Sequence, residues 1–345
     1  MKKKYLLLVA ATAGLLSTGA FAQTARVQVI HNSADAAAAT VDVYANGAMF
    51  IDDFEFRTAF GFADVPAGIP LTIDIAPGNS TSAAQSIASF PVTFTAGETY
   101  VVVANGIVSG TGYSPAPAFG LDVYTLGRES ANVATNTDVL VMHGSTDAPT
   151  VDVVVPGVGP IVNDASYGDF AGYLEVAAAD YTLNITDASG AVVVRSYQAP
   201  LSTLNLDGEA LVVVASGFLN PANNSNGAAF GLWVALPSGG ALVELPESNA
   251  RLQVIHNSAD AAAAQVDVYL DGSLLLDNFA FRTATPFIDL TAEVSHSIAI
   301  APSTSTSVTQ AIATFPVVLE ANETYVVVAN GIVSGTGYSP APAFG

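Results

Sequence analysis

Arg26-Val27-Gln28-Val29-Ile30-His31-Asn32-Ser33-Ala34-Asp35 returns, with one substitution, as Arg251-Leu252-Gln253-Val254-Ile255-His256-Asn257-Ser258-Ala259-Asp260. The register then holds without a gap to the end of the chain, and Thr99–Gly120 is identical to Thr324–Gly345. Between these copies lies a divergent one. It opens on Val141-Met142-His143-Gly144-Ser145-Thr146-Asp147-Ala148-Pro149 and closes on LVVVASG (211–217) and FGLWV (230–234). Self-similarity at a fixed period marks a chain of repeated units, here three of about 110 residues, an ordinary domain size.

Each unit reads as strands. In the first, residues 27–31, 40–45, 48–52, 60–65, 71–76, 87–94, 99–104 and 119–124 are short β-branched or aromatic runs, separated by Gly, Pro, Asn or Asp. Asn46-Gly47 and its counterpart Asp271-Gly272 suit the positive φ angles of a tight hairpin. Leu71-Thr72-Ile73-Asp74-Ile75 alternates as a half-buried strand does. The four alanines Ala36–Ala39 carry no apolar stripe, so they give at most one helical turn. The expected fold is all-β, tandem antiparallel β-sandwich modules of immunoglobulin-like type. Tyr100 after Gly97-Glu98-Thr99 fits the tyrosine corner of such sandwiches, although the middle unit has Leu211 there.

The first 22 residues read differently. Lys2, Lys3 and Lys4 precede the apolar run 5–16 and the small-residue site Ala20-Phe21-Ala22, the layout of a cleaved signal peptide and too short to span a bilayer. The expected organisation is therefore a signal peptide over 1–22, module 1 over 23–131, module 2 over 132–247 and module 3 over 248–345. Polar stretches near 127–138 and 237–250 read as the linkers. Module 3 stops at Phe344-Gly345, where the other two run on into a further strand. It is expected to lack its final strand, to be completed by a longer reading frame or by a strand donated from another molecule.

Charge narrows the function. The chain has 345 residues, 51% hydrophobic and 11% charged, no cysteine, and a formal net charge of −21. Past the signal peptide there are six arginines, no lysine and 30 acids. Such a surface cannot neutralise a run of phosphates, so nucleic acid is excluded as a partner, and anionic lipid is disfavoured. Without cysteine there is no disulfide frame, thiol nucleophile or thiolate zinc site. No later segment reaches membrane-spanning length, and the location expected is periplasmic, cell-surface or extracellular.

The polar motif is His-x-Ser-x-Asp followed by Val-Asp-Val: His31, Ser33, Asp35 and Asp42; His143, Ser145, Asp147 and Asp152; His256, Ser258, Asp260 and Asp267. A triad is a poor fit, because three residues within one turn cannot place the imidazole between hydroxyl and carboxylate. An imidazole with two carboxylates could hold a divalent ion, calcium included, but no run of alternating acids is present. The structural reading makes the motif a turn, with His31 donating to a backbone carbonyl and Asp42 facing solvent between two core valines. The histidines and aspartates are candidate ligand or ion residues on the second reading and turn residues on the third. No cofactor is required by any of them.

The loop IVSGTGYSPAPA (107–118), with Tyr113, and its copy with Tyr338 are candidate binding loops. So is the amide-rich stretch of module 2 that holds Asn223, Asn224 and Asn226, suited to sugar hydroxyls. Arg26 and Arg57 recur as Arg251 and Arg282 but not in module 2, and each is expected to have a carboxylate partner. His296, at the place of Leu71, has no implied role.

The motif RxQVIHNSxDA, the VDVY strand, the Asn/Asp-Gly hairpin and YVVVANG together resemble the bacterial family catalogued as domain of unknown function 4397. The resemblance runs clearly through modules 1 and 3 and more loosely through module 2. It implies exported, often tandem, β-sandwich domains and implies nothing about chemistry. The function expected is non-catalytic: cell-surface or extracellular interaction, adhesion or spacing, toward a surface glycan or protein. The alternatives are a carbohydrate- or cation-binding module, or an accessory domain of a secreted hydrolase.

Overall fold

A computed structural model describes residues 23–345, so the signal-peptide reading lies outside the described residues. Module 1 comprises β1 (Thr24–His31), β2 (Thr40–Ala45), β3 (Ala48–Glu55), β4 (Thr58–Pro66), β5 (Leu71–Pro77), β6 (Ala88–Val92), β7 (Thr99–Asn105) and β8 (Gly120–Tyr124). Module 2 comprises β9 (Asn136–His143), β10 (Val151–Val155), β11 (Gly159–Ala165), β12 (Phe170–Ala177), β13 (Asp180–Asp187), β14 (Val193–Pro200), β15 (Ala210–Ser216) and β16 (Gly231–Ala235). Two short strands follow, β17 (Gly239–Ala241) and β18 (Val243–Glu244). Module 3 comprises β19 (Asn249–His256), β20 (Gln265–Leu270), β21 (Ser273–Ala280), β22 (Ile288–Thr291), β23 (Ser295–Pro302), β24 (Ala313–Val318) and β25 (Thr324–Ala329). Among the described residues the only helical elements are single 3-10 turns, one of them at Ala36–Ala38 within the alanine run.

Each module is two sheets. In module 1 these are β3-β2-β5-β6 and β4-β1-β7-β8, in module 2 β11-β10-β13-β14 and β12-β9-β15-β16, and in module 3 β21-β20-β23-β24 and β22-β19-β25. The sheets are not wholly antiparallel as expected. In every module the first strand pairs in parallel with the YVVVA-type strand: β1 with β7, β9 with β15, β19 with β25. A parallel neighbour requires a crossover rather than a hairpin, and the five intervening strands of the module supply it. The β2–β3 hairpin turns through Asn46 (φ 49°) and Gly47 (φ 80°), both left-handed, as the Asn-Gly pair predicts. The Tyr100 hydroxyl accepts from the Thr95 amide at 2.9 Å and Tyr325 from Glu320 at 3.0 Å, which is the expected corner contact.

Alternation along β1 and β7 explains why the run Tyr100–Ala104 of β7 is apolar on both faces. Val27, Tyr100 and Val102 point into module 1's own sandwich. Ile30, Val101 and Val103 point the other way, onto Leu140, Met142, Val212 and Val214 of module 2. Strands covered on both faces carry continuous apolar runs. Modules 1 and 2 therefore share a third core, built from the outer faces of β1/β7 and β9/β15.

The linkers are not loose connections. After module 1, Arg128 pairs with buried Asp138 (2.6 Å) and with Glu175 (2.8 Å), while Glu129 holds Arg26 through two bonds of 2.7 Å. Asp138 stands at module 2's equivalent of Arg26, so the same place carries the opposite charge. After module 2, β17 adds to the edge of β4, and Ser248 bridges β14 to module 3 through Ser248 N–Ser196 O and Ala292 N–Ser248 O (both 2.8 Å).

Candidate functional site

The motif residues sit where β1 leaves the sheet. His31 is fully buried, its Nδ1 accepts from the Ser33 amide (3.3 Å), and its Nε2 lies 2.7 Å from the Ala38 carbonyl. With Nδ1 an acceptor, the proton is on Nε2 and the ring is neutral. Burial pulls its pKa down to about 4, the Ala38 bond opposing the shift. Ser33 Oγ donates to the Gly106 carbonyl at 2.7 Å. Module 3 repeats these contacts at His256 and Ser258, with Ala263 and Gly331 as acceptors. In module 2, Ser145 donates to Gly217, and His143 Nε2 lies 3.1 Å from the Pro149 carbonyl.

Asp35 is the hub. Its carboxylate accepts from Ala37 N (3.0 Å), Val108 N (2.8 Å), Ser109 N (2.6 Å) and Ser109 Oγ (2.8 Å). Burial pushes its pKa up, but these bonds outweigh it and hold the group below the usual carboxylate range. Asp260 makes the same set with Ala262, Val333 and Ser334, and adds Tyr338, with the same direction of shift. Asp147 takes the amides of Leu219 and Asn220 and the Asn224 side chain. In each module this aspartate ties the long loop to the motif turn.

Asp42 does not face solvent as expected. It is fully buried, accepting from the Asp53 amide (3.0 Å) and Ser80 Oγ (2.5 Å). Asp53 lies in a left-handed conformation where β3 shifts register, so Asp42 satisfies an amide that the bulge takes out of the ladder. Asp267 does the same for Asn278, and Asp152 for Asp164. No hydrogen bond joins the motif histidine to either aspartate in any module. Among the described residues no group of three His, Cys, Asp or Glu side chains is arranged to hold a metal ion.

The binding-loop candidates are largely engaged with each other. Tyr113 accepts the Ala36 amide through its hydroxyl and packs on Phe218 of module 2 (5.5 Å between ring centres). Ser114 N donates to Asn224 Oδ1, and Ser225 Oγ to the Gly112 carbonyl. Asn223 and Asn226 are exposed, and so is Tyr338 of module 3.

Arg57 was expected to find a carboxylate. It reaches into module 2 instead, donating to Ser216 Oγ (3.1 Å), Ser216 O (3.2 Å) and Ala229 O (2.7 Å), with its guanidinium over the Trp233 ring. Burial lowers its pKa to about 10, with Glu244 pulling upward. Asn32 donates to the Gly144 carbonyl at 3.0 Å. Gly144 occupies the place of Asn32 in module 2, so equivalent positions meet, and the two modules face each other about a pseudo-two-fold axis. These interface residues were not among the sequence candidates. The signal available for them was the absence of polar alternation in YVVVAN and the loss of Arg57 in module 2 alone. Inside module 1, an almost wholly apolar cavity of about 250 Å³ lies between the two sheets.

The fold and motif define a tandem array of mixed-sheet β-sandwich modules. The sequence matches the family described as domain of unknown function (DUF4397) over residues 25–133, 137–222 and 244–342, and the chain belongs to that family. A search of curated proteins finds no match. Among solved structures, the Bacillus anthracis TIE protein aligns at 10% identity and TM-score 0.21, over 89% of this chain and 50% of that one, so this chain spans half its length. A streptococcal virulence factor described as binding alpha-glucan aligns at 8% identity and TM-score 0.18, over 55% of this chain and 91% of that one. Superpositions this loose add nothing to the fold described above.

Proposed function

We propose that this chain is a non-catalytic, exported interaction and spacer protein, a stiff array of β-sandwich modules that presents surface loops at fixed positions. One observation carries the reading: modules 1 and 2 bury a common core between Ile30, Val101 and Val103 on one side and Leu140, Met142 and Val214 on the other. A shared core of this kind removes the hinge that a polar linker would provide. The motif side chains support it, because their polar atoms, His143 Nδ1 apart, are engaged in hydrogen bonds that hold the turn and the bulge. Export rests on the lysine-led apolar N-terminus.

Two measurements test this. The folded full-length protein should turn over none of a panel of glycoside, ester and peptide substrates, and turnover of any would refute it. The chain lacks cysteine, so Ala84→Cys with Ala188→Cys, both exposed, takes spin labels at chosen sites. A single narrow distance distribution is expected between them, and a broad one would sink the spacer reading.

A second reading, glycan binding, has the exposed amides of Asn223 and Asn226 beside the module boundary in its favour. A blank glycan array would remove it.

A further inference from the structure

Module 3 carries most of the module 1 half of the inter-module interface and leaves it open. Gln253, Ile255, Val326 and Val328 repeat Gln28, Ile30, Val101 and Val103. Val101 and Val103 are 0% exposed against module 2, whereas Val326 is 52% and Val328 42% exposed. Asn257 stands at the place of Asn32, and Phe287, 38% exposed, at the place of Phe62. Arg282 repeats Arg57 down to its backbone: both are left-handed (φ 67° and 59°), and both lie over the preceding phenylalanine, at 4.9 and 4.8 Å. Arg57 has three acceptors in module 2. The Arg282 side chain makes no hydrogen bond or ion pair among the described residues.

We propose that this face of module 3 is a docking surface for one kind of partner, a further domain of this family of the module 2 type. The chemistry of the occupied interface selects that type over a second module 3. A Cβ at Gly144 would collide with Asn32 Nδ2, so the position facing the asparagine must be glycine. Two module 3 faces would oppose Asn257 to Asn257, where the 1–2 pair sets Asn32 against a glycine that has no room for a side chain. A module 2 face supplies glycine opposite the asparagine, an aliphatic row opposite the valines, and the Ser216 and Ala229 carbonyls with the Trp233 ring for the arginine. One difference bounds the geometry. Gly61 of module 1 admits the Pro237-Ser238 backbone, with Ser238 O only 2.6 Å from where a Cβ would lie, and module 3 has Pro286 there. The sheet faces can therefore stack as in the 1–2 pair, but the edge strand contributed by β17 is not reproduced.

Trp233 is the only tryptophan and lies in the interface, so it reports occupancy. An opened chain carries Val101→Asp and Val103→Asp to vacate module 2's face, with Val326→Asp and Val328→Asp to disable its own module 3. A silent chain carries only Trp233→Phe. Titrating silent into opened chain should blue-shift the emission and give a 1:1 complex in sedimentation velocity, and Arg282→Glu in the silent chain should abolish both. No change in emission or mass at the highest soluble concentration would overturn the proposal. Should the opened chain not fold, residues 132–247 are appended through a Gly/Ser linker to a chain that is otherwise intact but for Trp233→Phe. The one remaining tryptophan, in the appended module, should then be protected from acrylamide quenching only while Arg282 and Val328 are intact. Quenching that ignores both substitutions would equally overturn it.

Discussion

The Arg57 guanidinium of module 1 lies 4.0 Å from the centre of the Trp233 ring of module 2. The arginine is held there by three oxygen acceptors, two of them backbone carbonyls, and by a left-handed backbone that aims it across the boundary. Removing it takes away a partly desolvated cation–π contact and leaves the Ala229 and Ser216 carbonyls without their donor. Arg57→Ala should therefore lower stability by about 2 kcal/mol and shift the tryptophan emission to the red. Arg282→Ala, the same residue in module 3, should change neither. Equal effects from the two substitutions would show that Arg57 acts within its own module.

Gly144→Ala probes the pseudo-two-fold axis. The added methyl meets Asn32 Nδ2 from module 1, and in module 2 the Ala215 carbonyl (2.9 Å) and Met142 Sδ (3.1 Å). Overpacking of this kind should destabilise by about 1–3 kcal/mol. Asn32→Ala in the same chain should recover part of that loss, because one of the three colliding groups is then gone. Strict additivity in chemical denaturation would mean that the methyl is accommodated without touching module 1.

Much of this architecture was readable beforehand, for reasons that are local. The Asn46-Gly47 turn, the strand runs and the alanine turn depend on neighbours in sequence, and the repeat fixed three modules by comparison alone. Two things were not readable. The parallel pairing of β1 with β7 joins strands some 70 positions apart, and alternation patterns say nothing about strand direction. The position of Asp42 depends on a bulge at Asp53 in the neighbouring strand, and a valine–aspartate–valine run looks the same whether the aspartate meets water or a displaced amide. The site was half legible. His31 and Ser33 bond backbone as a turn reading requires, but the reach of Asp35 to Val108 and Ser109 crosses the whole module. Arg57 misled because a rare cation in an acidic chain is expected beside a carboxylate, and here desolvated carbonyls and an indole take that place.

Asp35→Asn keeps the shape of the hub but turns one acceptor oxygen into a donor that faces backbone N–H groups. It should destabilise module 1 by about 2–3 kcal/mol, the scale of charge-assisted bonds replaced by opposed donors. The amides of Val108 and Ser109 should lose hydrogen-exchange protection first. Asp260→Asn should repeat this at Val333 and Ser334, and Asp147→Asn at Leu219 and Asn220. Unchanged exchange at those amides would remove the aspartate from its structural role and return it to the list of ligand candidates.

His31 should make module 1 sensitive to mild acid. Buried and neutral in the folded state, it takes a proton only near pH 4, whereas in the unfolded chain it does so near its ordinary value of 6.5. Between those values the unfolded state binds more protons, so stability is complete above about pH 6.5 and falls as the pH drops toward 4. The full difference is on the order of 3 kcal/mol. Asp35, held below the usual carboxylate range, adds its own loss only at lower pH, as the unfolded carboxylate protonates first. The two are therefore separable by range. Urea midpoints for the module 1 transition should decline between about pH 6.5 and 4, and His31→Gln should flatten that decline while lowering the midpoint throughout. A slope that survives the substitution would assign the acid sensitivity to a different group and leave the neutral Nε2–H tautomer of His31 without a role in the fold.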